Sequence, residues 1–402
     1  LLYPCEDDLV TLGFITIAEK KMNSRQRMIT TLNHEQPDQV PLDLGGNQTG
    51  IHRLAYQKVL DYYGIDEDVV IMDIVQQLAA PSEKVLRLFE IDARYVRPGM
   101  FLPAPDLQEV KPGFWGFTDG FGVTWAMPGR RPGEGLYCDI VHHPLANLKY
   151  EDLDHYDWPD GKDPAPFTGL RDYALHLHEE TDYALVSGIT GVVFEICWYM
   201  RGFERFYMDL VEEPRYVEKL LDHTLQYWMD FHEGFLHEVG DLLHVVCVGD
   251  DIAMQNGPLF SPEIYRKLVK PRQKALYQFI KSKTNAKLWY HSCGSIVELI
   301  PEIIDNGIDI LNPIQISAKN MNPAQLKEQF GDRLVFWGGG IDTQGVFAHG
   351  APADVRNQVR DLIETFKPGG GYVFNTVHNI QADVPAENIV ALWEAAKEFR
   401  DY

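Results

Sequence analysis

Short apolar runs separated by longer stretches of helical periodicity set the frame for this chain. The runs lie near Val40–Leu44, Ala93–Val96, Tyr183–Ser187, Leu243–Val248, Lys287–His291, Ile308–Asn312, Leu334–Trp337 and Gly371–Phe374. Between most of them stand helical patterns, among them Pro262–Lys281, Ser295–Asp305, Pro323–Phe330 and Ala353–Phe366. Ser261-Pro262, Asn322-Pro323 and Ala351-Pro352 supply helix-start signals at the expected places. Eight strands alternating with helices predict an α/β fold, a parallel (β/α)₈ TIM barrel, with chemistry at the C-terminal strand ends. An open doubly wound sheet is the other arrangement, but no Gly-rich dinucleotide turn follows the first strand.

One segment breaks the rhythm. Residues 101–150 are rich in Gly, Pro and Trp (Pro112-Gly113-Phe114-Trp115-Gly116 and Asp119-Gly120-Phe121-Gly122), which predicts β-hairpins inserted between the second and third strands. The expected organisation is an N-terminal extension over 1–21, ahead of Met22-Asn23-Ser24, and a barrel over 22–402.

A chain of 402 residues with 45% hydrophobic content can bury a large core. Its charge, 36 − 59 = −23, argues against nucleic acid and against anionic membranes as partners. Five cysteines without framework spacing point to a reducing cytoplasm. No apolar stretch approaches the roughly 18 residues of a spanning helix.

Chemistry concentrates at the strand exits. In Tyr290-His291-Ser292-Cys293-Gly294 an imidazole and a thiol stand two residues apart as a strand ends. Residues i and i+2 of an extended chain point to one side, so His291 and Cys293 converge as zinc ligands do. The other reading is a buried pair that only packs. Asp250 and Asp251 end the fourth strand, next to that pair, or else cap the following helix. His378 closes the ring from the eighth strand, or is a core histidine bonded to a carbonyl. Glu195 sits among apolar residues that favour a raised pKa, or pairs with Arg201 or Arg205. Gly338-Gly339-Gly340 either cradles a phosphate or permits a tight turn, and no Walker-type tail follows it.

The motifs Gly371-Tyr-Val-Phe-Asn-Thr-Val-His-Asn-Ile380, Val384-Pro-Ala-Glu-Asn-Ile389, Gly338-Gly-Gly-Ile-Asp342 and His291-Ser-Cys-Gly294 resemble those of the uroporphyrinogen decarboxylase superfamily. That superfamily includes decarboxylases and corrinoid-dependent methyltransferases. The likeness runs from Met22 to the C-terminus and implies a (β/α)₈ barrel. Decarboxylases carry an arginine-rich segment that grips the substrate's acetate groups. The matching region here reads Asp43-Leu-Gly-Gly-Asn-Gln-Thr-Gly-Ile-His52, without an arginine. His-x-Cys instead resembles the zinc-containing methyltransferases. The resemblance then implies zinc on His291, Cys293 and a third ligand, with His378 standing where those proteins usually have Cys.

On that basis His378, Asp251 and Glu195 are expected to be catalytic. Asn47, Asp73, Tyr199, Asp250, Asp342 and Asn375 are expected to meet substrate or corrinoid, with Trp125, Trp198 and Trp337 lining the mouth. The corrinoid (a cobalamin) is expected on a partner protein, because the chain lacks an Asp-x-His-x-x-Gly segment. The small-molecule methyl donor or acceptor is a methoxylated aromatic, a methylated amine or betaine, a thiol cofactor, or tetrahydrofolate. A decarboxylase-type lyase and a non-catalytic tetrapyrrole-binding paralogue are the alternatives. Pairing into a homodimer is compatible with a barrel of this size, although no interface is identifiable.

Overall fold

A computed structural model describes residues 21–402 of the protein. The expected extension over 1–21 therefore falls, but for Lys21, outside the described residues.

Seven parallel strands form one sheet in sequence order: Ala93–Val96, Ala184–Thr190, Val245–Gly249, Lys287–His291, Ile310–Asn312, Val335–Trp337 and Tyr372–Val373. The segment around Leu42 lies between the two edges. Phe374 N–H donates to Pro41 O (2.8 Å), Asp43 N–H to Phe374 O (3.0 Å), and Asp92 N–H to Leu42 O (2.8 Å). The eighth place is thus filled by a single parallel bridge at Leu42–Phe374 instead of the expected strand Val40–Leu44. The ladder is irregular there because Leu42 N–H finds the Asp92 side chain (2.9 Å) in place of a carbonyl.

Strand alternation divides the core in two. Tyr95, Val186, Val245, Cys247, Trp289, Ile310 and Trp337 point inward and form the barrel interior, which Met28 and Leu32 of the helix Ser24–Leu32 join. The intervening residues pack outward against the helices in a second, larger cluster. Trp337 is fully buried in the interior, with Nε1–H donating to Asp43 Oδ2 (2.9 Å). The expectation that it lines the mouth is corrected by strand register: its side chain faces the barrel axis below the exits.

Between Ala93–Val96 and Ala184–Thr190 stands a separate four-stranded antiparallel sheet: Gln108–Lys111, Phe114–Thr118, Thr124–Pro128 and Asp139–His142. Arg201 anchors its downstream end by donating to Leu145 O (2.6 Å) and Leu148 O (2.8 Å) while paired with Asp209 (2.8 Å). Arg205 also reaches Asp209 (2.7 Å), so neither arginine pairs with Glu195.

Helix starts follow their caps. Ser261 Oγ accepts from Ile264 N–H (3.3 Å) and Asn322 Oδ1 from Gln325 N–H (3.1 Å). The expected helix Pro262–Lys281 is interrupted by a π-turn over Tyr265–Val269 before Lys270–Lys283. Pro271 has no N–H for Lys267 O and its ring crowds that carbonyl, which widens the turn. Among the described residues no helix is long and apolar enough to cross a membrane.

Candidate metal centre

The strand Lys287–His291 carries His291 to the C-terminal rim, where it pairs in register with Asn312 of the neighbouring strand. His291 Nδ1–H donates to Asn312 Oδ1 (2.6 Å). Asn312 Nδ2 donates to Trp337 O (2.8 Å), which fixes the amide's orientation and so makes its Oδ1 the acceptor. His291 Nε2 is left with a lone pair facing outward, the tautomer that a ligating histidine needs.

Cys293 Sγ lies 3.5 Å from His291 Nε2. Two ligands of a tetrahedral zinc, with bonds of about 2.1 Å and 2.3 Å, are separated by roughly 3.6 Å. The ligand atoms of His291, Cys293 and His378 all fall within 4.8 Å of one another. His378 holds a left-handed backbone (φ 66°), a costly conformation for a residue with a side chain, and its ring makes no hydrogen bond among the described residues. A soft thiolate with two imidazoles suits zinc, and three protein ligands leave a fourth position for substrate.

Carboxylates border this triad. Asp251 Oδ1 accepts Cys293 N–H (2.8 Å) and lies 3.7 Å from His291 Nε2. Glu195 Oε2 accepts Asp251 N–H (3.3 Å), and the Tyr199 hydroxyl donates to Glu195. Burial drives all of these toward their neutral forms. It lowers His291 to about 4 and lifts the Cys293 thiol. His378 is pushed down by burial and by His291, while Glu195 is pushed up by burial and by Asp251.

Other expected site residues lie elsewhere. Asp250 is buried, accepting Phe194 N–H and Glu195 N–H (both 2.8 Å) and Gln273 Nε2 (2.8 Å). It holds the start of the helix Glu195–Arg201 and does not face the triad. Asn375 is fully buried, with Nδ2 donating to Asp43 O (2.8 Å) at the barrel closure. Asp342 Oδ1 accepts Gln344 N–H (3.0 Å) within its own loop. A side chain on Gly338 would stand 2.3 Å from Pro313 O, so the three glycines serve close backbone packing. Asn47 Nδ2 donates to Asp73 Oδ2 (3.1 Å), which also accepts Gln76 Nε2 (3.1 Å), and these residues form a second polar cluster at the rim. Trp125 and Trp198 meet Tyr199 edge-on, with ring centroids 5.1 Å and 4.3 Å away.

Two residues went unremarked in the sequence. Asn312 ends a strand beside His291, and its place at that exit was the available signal. Arg97 follows directly on a strand and lines a cavity of about 780 Å³ together with Asn47, Met72, Gly188, Thr190 and Trp228.

The profile of the uroporphyrinogen decarboxylase (URO-D) family matches residues 140–399. A uroporphyrinogen decarboxylase of Alkalilimnicola ehrlichii is 22% identical over 275 residues, covering 66% of this chain and 70% of that one. The Psychromonas ingrahamii protein of the same name is 36% identical over 187 residues, covering 46% and 49%. Among solved structures, a methyltransferase from Methanosarcina mazei superposes with a TM-score of 0.62 at 18% identity, covering 94% of this chain and 99% of that one. That likeness establishes a shared fold.

Proposed function

Since this chain belongs to the uroporphyrinogen decarboxylase family, we propose that it is a methyl-transferring member of it. It moves a methyl group between a corrinoid on a partner protein and a heteroatom of a small molecule. The observation that carries this reading is the convergence of His291, Cys293 and His378 within 4.8 Å, with the His291 tautomer fixed by Asn312. These three residues would hold zinc. When bound, zinc supplies a Lewis acid, lowering a thiol's pKa or polarising an ether oxygen.

The chain's own groups do the rest. Asn312 holds His291 in its ligating form. Asp251, next to the triad, is positioned to accept a hydrogen bond from a substrate proton. Glu195, buried and supported by the Tyr199 hydroxyl, backs Asp251 with a second carboxyl whose raised pKa lets it hold a proton near neutral pH.

The curated relatives are decarboxylases, which gives a second reading a concrete basis. A porphyrinogen with eight carboxylates needs several fixed cations. The mouth cavity is lined by one basic residue, Arg97. Arg53, nearest the region matching the decarboxylases' arginine-rich segment, is engaged by Gln77, Gly133 and Gly135.

The test begins with metal analysis of the full chain beside His291→Ala and Cys293→Ala. Near one zinc per chain, lost in both variants, is the expected result, followed by methyl transfer from a methylated corrinoid protein. A well-folded protein without metal would sink the zinc mechanism. Carbon dioxide release from uroporphyrinogen would replace methyl transfer with the second reading.

A further inference from the structure

Alternation along the strand Ala93–Val96 turns Ala93 and Tyr95 inward and carries on to Arg97, which stands at the barrel mouth. Its neighbours around the cavity of about 780 Å³ are apolar (Met72, Met100, Leu102, Trp228 and Phe231), with Asn47 and Thr190 the polar exceptions. Arg97 is the one charged side chain of that lining.

Its guanidinium is poorly matched by the protein. Of about five N–H donors, only Nη2 finds an acceptor, Gly45 O. Nε is buried without a partner, and Nη1 makes no hydrogen bond among the described residues. Arg97 is half-buried, whereas the fully buried arginines of the described residues each hold a carboxylate: Arg27 with Asp38 and Asp92, Arg94 with Glu83, Arg201 with Asp209, Arg400 with Glu90. Arg97 has none among the described residues; burial pulls its pKa down, and the Tyr95 and Tyr173 side chains and then Asp73 and Asp43 offset this only in part. A desolvated cation left without a counter-charge is costly, and a ligand that brings one removes the cost. The position is also cleared for this side chain. A Cβ on Gly188 would stand 3.1 Å from Arg97 Cγ and 3.5 Å from Asn47 Oδ1.

We propose that Arg97 binds the carboxylate of the small-molecule substrate, and that this substrate is an aromatic acid whose ring lies along the apolar wall. Together with the methyl-transfer reading above, on which the choice of substrate rests, this selects a methoxylated aromatic carboxylate. An amine would set a second cation against the guanidinium, a betaine or a small aliphatic thiol would leave Trp228 and Phe231 uncovered, and tetrahydrofolate carries its carboxylates on a flexible tail and not on the ring that would lie along this wall. The cavity adjoins the metal side through Asn47, whose carbonyl accepts Asn379 Nδ2 (2.9 Å), one residue beyond His378.

The test is calorimetric titration of the full chain with 3,4-dimethoxybenzoate and, in parallel, its neutral amide. The acid is expected to bind at least about tenfold more tightly, the value of a charge-assisted hydrogen bond in a dry site. Arg97→Met should abolish that preference, and Gly188→Ala, which crowds the guanidinium's stem, should weaken the acid selectively. Equal binding of acid and amide by the wild type, binding of neither, or a preference that survives Arg97→Met overturns the assignment. Acetate binding as tightly as the aromatic acid overturns the substrate class. Binding needs no turnover, so the two readings fail separately. Acid preference without methyl transfer counts against the transferase reading alone, and transfer without acid preference counts against Arg97 alone.

Discussion

A single amide decides which nitrogen of His291 is free. Asn312 accepts from Nδ1 at 2.6 Å and is itself held by Trp337 O. Outer partners of this kind are worth about 10- to 100-fold in metal affinity. Asn312→Ala is accordingly expected to weaken zinc binding by that factor in competition with a chromophoric chelator. Asn312→Asp, which keeps an acceptor for Nδ1, should recover most of the loss, and unchanged affinity in the alanine variant would show the tautomer is set otherwise. Asp43 makes a separate prediction. It is buried in the barrel interior, accepts Trp337 Nε1 and Tyr95 hydroxyl bonds on one oxygen, leaves the other unpartnered, and has its pKa raised to about 6. The unfolded carboxyl titrates near 3.9. Between these values the folded chain holds a proton that the unfolded chain has released, so this group's contribution to stability falls as pH rises through that window. Asp43→Asn removes the titration. The stability of the wild type relative to that variant should decline by about 2 kcal/mol from pH 4 to pH 7. Chemical denaturation at several pH values measures it, and a constant difference would mean Asp43 stays ionised throughout.

At the scale of elements, one buried arginine holds the segment that leads out of the antiparallel sheet between the strands Ala93–Val96 and Ala184–Thr190. Arg201 binds the carbonyls of Leu145 and Leu148 and the carboxylate of Asp209, which is completely buried. Arg201→Met leaves those carbonyls stranded and the buried Asp209 with Arg205 as its remaining partner, at a cost of roughly 3 kcal/mol. Amide exchange over residues 145–148 should accelerate well ahead of the barrel strands, and unchanged protection there would show that packing and the Leu145 N–H bond to Met200 O (2.8 Å) hold the segment without Arg201. The sheet's location was legible because Gly- and Pro-rich spacing interrupts a regular strand–helix alternation. Strand positions were legible for the same reason, to within one or two residues except that Ala184–Thr190 runs three residues past the expected end at Ser187 and Val40–Leu44 yields only the bridge at Leu42. The 26-residue helix Pro214–Val239 was not singled out, although Pro214 at its start and Gly240 past its end are boundary signals of the kind that marked the other helices. The π-turn at Tyr265–Val269 was hidden because one proline inside an amphipathic pattern leaves the periodicity nearly intact. His291, Cys293 and His378 were singled out through spacing and family resemblance, and the fold brings them together. Asn312 and Arg97 were not, since what distinguishes them is a partner gained or missing across strands far apart in sequence. Asp250 and Asn375 were overread for the converse reason. A polar residue at a strand exit looks the same in sequence whether it faces the mouth or, as these do, satisfies backbone groups behind it.

For the molecule as a whole, the triad joins two distant parts of the chain. His291 and Cys293 leave the middle of the parallel sheet, and His378 follows the last strand, Tyr372–Val373, beside the irregular closure at Leu42. Closure rests on one parallel bridge, on Asp92, and on Arg27, which is buried between Asp38 and Asp92. A metal bound across His291 and His378 would link the sheet's centre to that seam, and it would bind only the folded chain, because the ligands are brought together by the barrel. Linkage then requires metal to stabilise the fold by about 2.7 kcal/mol at a hundredfold excess over Kd, which moves the melting midpoint by a few degrees. Stripping the metal with a strong chelator should lower the midpoint of the wild type by that amount. His378→Ala and Cys293→Ala, each missing one ligand, should melt near the stripped wild type and respond little to chelator. If the wild type melts identically with and without chelator while analysis finds one zinc per chain, the metal lies elsewhere and the triad is a cluster that only packs. If His378→Ala keeps the full response, the third ligand is Asp251, which already stands 3.7 Å from His291 Nε2, and His378 is freed for substrate.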